Sequence, residues 1–310
     1  MRDGTVGAVR ALVVSVAGMC VCVVSAAAQT PRTAWGDPDL QGLWTNSTRT
    51  PLERPDRFAG RERLTAEEIA ELEASVAGQN DRPPPSGDPG TYNEFWWERG
   101  NFSERPSLVI DPADGRIPAL TPAGETRAAW ARGTDSWVDR TMAERCVTRG
   151  APKRPGGYNN NIRVFQTPTH VAMLHEMIHE PRIVPLGDQP RISTGIRLHL
   201  GDSRGYWDGD TLVVETLNFR DDIFTNSFNC CPGAGGTMRL VERFTRVDAN
   251  TIEHRYTVDD PASYARAWTV ALPMTRIDGP IYEYACHERN YGMEGILSGA
   301  RVEESRAESR

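Results

Sequence analysis

The chain has 310 residues, 42 of them acidic and 35 basic, with a net charge of −7 at pH 7. That balance argues against nucleic acid or an anionic membrane surface as partner. The length suffices for one large domain or two small ones.

Residues 1–28 read as a cleavable secretory signal peptide. Arg2 and Arg10 form a positive n-region, Ala11 to Val24 an apolar h-region, and Ser25-Ala26-Ala27-Ala28 a small-residue cleavage site before Gln29. The apolar run is shorter than the ~20 residues of a spanning helix. The expected product is exported, periplasmic or extracellular, and has no membrane contact after cleavage. Without Arg2, Arg10 and Asp3 the mature chain carries 33 basic and 41 acidic residues, a net charge near −8. Lys153 is its only lysine.

Residues 29–155 read as a first strand plus a helical and irregular region packed on a barrel. Asp39 to Thr45 suits the strand. Thr65 with Glu68 makes a capping box for a helix over 65–77, in which Ile69, Leu72 and Val76 repeat at helical spacing. Residues 79–91, with Pro83-Pro84-Pro85, read as a loop. A second helix is expected near 122–133, with Pro122 in its first turn.

After Gly156 short apolar runs alternate with turns. Strands are expected at 162–167, 170–177, 182–186, 196–200, 205–208 and 211–216, then at 238–247, 251–258, 265–274 and 281–286. Asp208-Gly209-Asp210 is a hairpin signal, and Asp248-Ala249-Asn250 another turn. So many short strands predict a mainly β protein, an antiparallel β-barrel or sandwich over 156–300, with a partly helical, Pro-rich N-terminal region. Residues 301–310 are polar and read as a frayed tail.

Four cysteines survive cleavage: Cys146, Cys230, Cys231 and Cys286. An even count in an exported chain suggests disulfides. Adjacent Cys230 and Cys231 cannot both reach elsewhere without strain, so Cys146–Cys286 is the favoured bond. The adjacent pair is left as a vicinal disulfide, two thiols or a soft-metal site.

Three segments could carry chemistry. His175-Glu176-Met177-Ile178-His179 is a literal HExxH. On a helix its two histidines could grip one zinc, with Glu176 as general base. Pro168 and Pro181 bracket it and disfavour a long helix. On a strand the two imidazoles would stand ~13 Å apart at ~3.3 Å per residue, too far to share a metal. The strand is the preferred reading, so no cofactor is expected, with zinc as the alternative. Tyr282 to Tyr291 combines His287 and Glu288 with Tyr284, Asn290 and Tyr291, next to a disulfide that would fix the backbone. His199 to Asp210 places Arg204 and Trp207 beside Asp202, as a polar-ligand loop or as a turn tied by an Asp–Arg pair.

Four stretches carry a resemblance. Asp37 to Trp44, Arg105 to Pro112, Gly201 to Thr216 and Tyr282 to Tyr291 resemble segments of a large group of secreted bacterial proteins of undefined function. The resemblance implies one integrated domain and names no reaction. Gly42-Leu43-Trp44 is also similar to the lipocalin G-x-W element, which implies a lipocalin-like barrel.

Three functional expectations follow. The first is an enzyme acting on a small, partly apolar molecule, with His175, His179 and His287 moving protons and Glu176 or Glu288 assisting. It fails if those imidazoles point outward or lie far apart. The second is a zinc metalloprotease or other zinc hydrolase with His175 and His179 as ligands and Glu176 as base, completed by His287 or Glu288. The third is a non-catalytic ligand binder with Trp207, Tyr284 and Tyr291 as an aromatic wall. The expected partner is a small-molecule ligand. The sequence leaves the oligomeric state open.

Overall fold

The computed structural model describes residues 30–78, 81–84, 86, 92–98, 100–129, 133–221, 230–288 and 290–309. The expected signal peptide, part of the Pro-rich loop and Arg289 lie outside them. Ten strands form one antiparallel sheet: β1 (Gly42–Thr45), β2 (Val109–Asp111), β3 (Asn161–Gln166), β4 (His170–His175), β5 (Glu180–Pro185), β6 (Asp202–Asp208), β7 (Thr211–Leu217), β8 (Arg239–Arg246), β9 (Thr251–Asp259) and β10 (Trp268–Arg276). The order β5-β4-β3-β1-β10-β9-β8-β7-β6 curls into a nearly closed barrel, and β2 adds to β10 beside β1. The mainly β, barrel-like expectation holds. Two of the strands, β1 and β2, come from the N-terminal region.

The seam lies between β5 and β6. Gly187 N–H donates to the Gly205 carbonyl at 3.0 Å, and Leu186 bridges Gly205. A Cβ on Gly205 would meet Leu186 at 2.8 Å and Val184 at 3.0 Å, so glycine permits the edges to approach. Gly209, at φ +60, opens the two-residue hairpin between β6 and β7, where Asp208 pairs with Thr211.

Alternation along the strands layers the interior. Leu240, Glu242, Phe244 and Arg246 of β8 are all buried, as are Ile252, His254, Tyr256 and Val258 of β9. One apolar layer contains Leu40, Trp44, Met173, Val184, Phe244 and Ile252. A second contains Leu240, Tyr256, Val258, Trp268, Val270 and Leu272, extended by loop residues that include Tyr264 and the disulfide-bonded pair Cys230 and Cys231. Between them lies a buried polar belt: His175, Arg182, Ser203, Thr216, Glu242 and His254. Trp44 of the G-x-W element is fully buried, and its indole N–H donates to the Leu40 carbonyl at 2.9 Å.

The α-helices among the described residues are α1 (Ala66–Val76), α2 (Pro122–Ala128) and α3 (Tyr291–Glu308). None of them is long and apolar enough to cross a membrane. Thr65 and Glu68 form the expected capping box on α1. The tail corrects the sequence reading: residues 301–308 continue α3, with Arg301 paired to Glu304 at 2.6 Å, an i,i+3 contact that a helix supports. Residues 281–286 form no strand. Their backbone bonds locally instead, Cys286 N–H donating to the Tyr284 carbonyl and Tyr282 N–H to the Glu176 carboxylate. Residues 196–200 also lack a ladder, keeping one bridge from Leu198 to Phe219.

Candidate functional site

The HExxH segment is divided between a strand and a turn. β4 ends at His175, and a short 3-10 turn covers Met177–His179, in which Ile178 and His179 take φ +64 and +49. Left-handed backbone at consecutive residues breaks any α-helix, so the one-face geometry of a zinc-binding HExxH is absent. Glu176 is buried and accepts from the Asn161 side-chain amide at 2.7 Å, which anchors the turn to β3.

His175 points into the barrel and is buried, whereas His179 and His287 are exposed. The three imidazoles therefore do not share one enclosed pocket, and the three-histidine form of the first expectation fails its own condition. Glu288 is exposed as well. No group of three or more His, Cys, Asp or Glu side chains suited to a metal ion occurs among the described residues.

His175 instead joins charges that the sequence reading did not single out. Arg182 on β5 lies 2.5 Å from Glu242 on β8 and donates to Ser203 at 3.1 Å and Thr216 at 2.7 Å. His254 Nε2 stands 3.2 Å from the other Glu242 oxygen, and its ring stacks on Phe244 at 4.2 Å. Lys153, from the loop before β3, pairs with Glu180, which also accepts from the Thr148 hydroxyl. Burial alone would raise the Glu242 carboxyl, but Arg182 and His254 outweigh it and hold the pKa down at about 2. Burial, then the positive charges of Lys153 and Arg182, push His175 well below the usual imidazole range, so it stays neutral. Burial lowers the Lys153 ammonium despite its Glu180 partner.

His175 sits where two spaces meet. Inside is a cavity of about 20 Å³, lined by His175, Arg182, Glu242, His254 and apolar residues such as Met173 and Phe244. That is room for about one water. Towards the mouth, a second small hollow is lined by His175 together with Asn46, Lys153, Arg149, Tyr158 and Met177. Asn46 is buried and its side-chain oxygen has no hydrogen-bond partner, so a donor is wanted there. Arg149, Tyr158 and Met177 in turn line an outer cleft of about 140 Å³ with Ile178, Tyr284 and Cys286. Ile178 is β-branched and rarely adopts positive φ, a strain of the kind that collects at functional sites.

The Cys146–Cys286 disulfide forms as expected, with sulfurs 2.08 Å apart, and fixes Tyr284 at this cleft. Burial and then Tyr284 raise the Tyr158 hydroxyl. The other ligand expectations scatter. Asn290 caps α3, accepting from Met293 N–H at 3.3 Å and donating to the Glu144 carbonyl at 2.8 Å. Tyr291 is exposed. Trp207 packs against the apolar layer inside the barrel. Trp207, Tyr284 and Tyr291 thus do not form one wall. Arg204 pairs with Asp202 at 2.5 Å and donates to the Gln189 carbonyl at 3.1 Å, so it ties a loop to β6.

Arg182, Glu242, His254 and Lys153 come from distant parts of the chain and share no local motif. For Glu242 and His254 the available signal is one polar residue between two inward apolar ones, as in Leu240-x-Glu242-x-Phe244 and Ile252-x-His254-x-Tyr256. No protein-family model, curated protein or solved structure matches the chain.

Proposed function

We propose that this chain is an exported β-barrel protein that takes a small, partly apolar molecule at the barrel mouth and moves a proton on it with His175. The supporting observation is the position of His175, a neutral imidazole at the junction of the interior cavity and the mouth. A neutral imidazole can accept a proton, and Glu242 with Arg182 supplies a fixed charge environment close by. Tyr158, Tyr284 and Ile178 give the outer cleft an apolar and aromatic lining. In this reading His179, His287 and Glu288 have no part in proton transfer, Glu176 holds the turn, and no cofactor takes part.

The test is solvent-deuterium incorporation into a panel of small carbonyl compounds and phenols, followed by mass spectrometry. Wild-type protein should label at least one compound, and His175→Gln should reduce its labelling about 10²-fold or more. Undiminished labelling in a folded His175→Gln variant would contradict the role. A second reading, ligand binding without turnover, is favoured by the outer cleft of about 140 Å³, whose lining does not include His175. Saturable binding with no labelling of any panel member would select it.

A further inference from the structure

A groove of about 620 Å³ crosses the outer face of β9 and β10, away from the barrel interior. The N-terminal region overhangs it. Its apolar lining includes Val109, Ile110, Val247, Ala271 and Pro273. Arg54 also lines it and is only 9% exposed. Its Nε is buried with no hydrogen-bond partner. Among the described residues no carboxylate pairs with this guanidinium, and its buried Nε–H reaches no acceptor. Buried charges are ordinarily paired, because removing an ion from water costs several kcal/mol. The groove's other cations are committed: Arg63 to Glu104 at 2.6 Å and Arg105 to Glu253 at 3.2 Å. Glu62 stands exposed at the same groove.

We propose that the groove binds an amphipathic carboxylate, with its acid group on Arg54 and its apolar chain along Val109, Ile110, Val247 and Pro273. A planar guanidinium matches a carboxylate with two parallel hydrogen bonds, which a hydroxyl or an amine cannot reproduce. The volume suits a small organic ligand, within the ~300–1,000 Å³ of typical sites. The apolar walls favour a chain over a bare anion.

Decanoate serves as the probe, titrated into the mature full-length chain by calorimetry, with decanol, decylamine and inorganic phosphate as comparisons. Decanoate should bind saturably at one site and at least tenfold more tightly than the other three. Arg54→Met should weaken it tenfold or more while the protein keeps its far-ultraviolet circular dichroism. Val247→Glu, at an exposed position in the apolar lining, should weaken it about fivefold without touching Arg54. Equal affinity for decanol would overturn the acid-group contact. Phosphate binding as tight as decanoate would overturn the amphipathic class. Unchanged affinity in either variant, or no saturable decanoate binding, would overturn the site.

Discussion

Two buried arginines of one chain live under opposite rules. Arg182, 5% exposed inside the barrel, meets Glu242, Ser203 and Thr216. Arg54, 9% exposed beneath the outer groove, is held by its backbone N–H to the Gly115 carbonyl, while its side-chain Nε has no partner among the described residues. The first is part of the structure, because Glu242 would be left as an uncompensated buried charge without it. The second contributes a cost that a ligand anion could relieve. Burial alone therefore does not say whether a charge serves the fold or a ligand. The number of its satisfied protons does.

The largest expected effect breaks the interior. Arg182→Met should destabilise the protein by about 3–5 kcal/mol in urea unfolding, since it strands Glu242. The double variant Arg182→Met/Glu242→Leu should recover most of that loss, because an apolar replacement of a whole buried pair is often neutral. If the double variant is as unstable as the single one, the belt is held by packing and not by charge pairing.

A smaller effect sits at the seam that closes the interior. Gly205→Val should cost about 1–3 kcal/mol by overpacking against Leu186 and Val184, read as a lowered melting temperature.

Acid sharpens the contrast further. The unfolded chain takes a proton on His175 below about pH 6.5, and the folded chain refuses it. Stability from this group is therefore present above that pH and lost as pH falls below it. Glu242 acts in the same direction at lower pH, with stability lost between its ordinary value of 4.5 and about 2. Urea unfolding at pH 7, 6 and 5 should show falling stability, and His175→Gln should flatten that slope. An unchanged slope would remove His175 from the acid response.

The smallest expected effect is at Arg54. Without ligand, Arg54→Met should change stability by no more than about 0.5 kcal/mol, or raise it, because no protein partner is stranded. A loss of several kcal/mol, comparable to that of Arg182→Met, would dissolve the distinction between the two arginines.

The sequence exposed the strands best where one face is buried in the barrel. Residues 251–258 alternate cleanly because Ile252, His254, Tyr256 and Val258 point inward. It misled where local texture was shaped by other partners. Tyr282 to Cys286 carries strand-forming residues, yet its disulfide to Cys146 and its contact with Glu176 take the place of a ladder. The 301–308 segment looked too polar to order, but an exposed helix needs little apolar surface when its charges pair along one face. At the site, His175 was legible through HExxH, while His179 shares the motif but leaves the barrel at the Ile178 turn. The groove around Arg54 left no motif, because its lining comes from segments as distant as Arg54 and Pro273.

The most direct measurement is a nitrogen-15 NMR titration of the histidine side chains, with His175→Gln assigning one resonance. His175 should remain a neutral imidazole well below pH 6.5, until the protein unfolds. Protonation of His175 in the folded protein at or above pH 6.5 would contradict the burial and the neighbouring positive charges of Lys153 and Arg182 that keep it neutral.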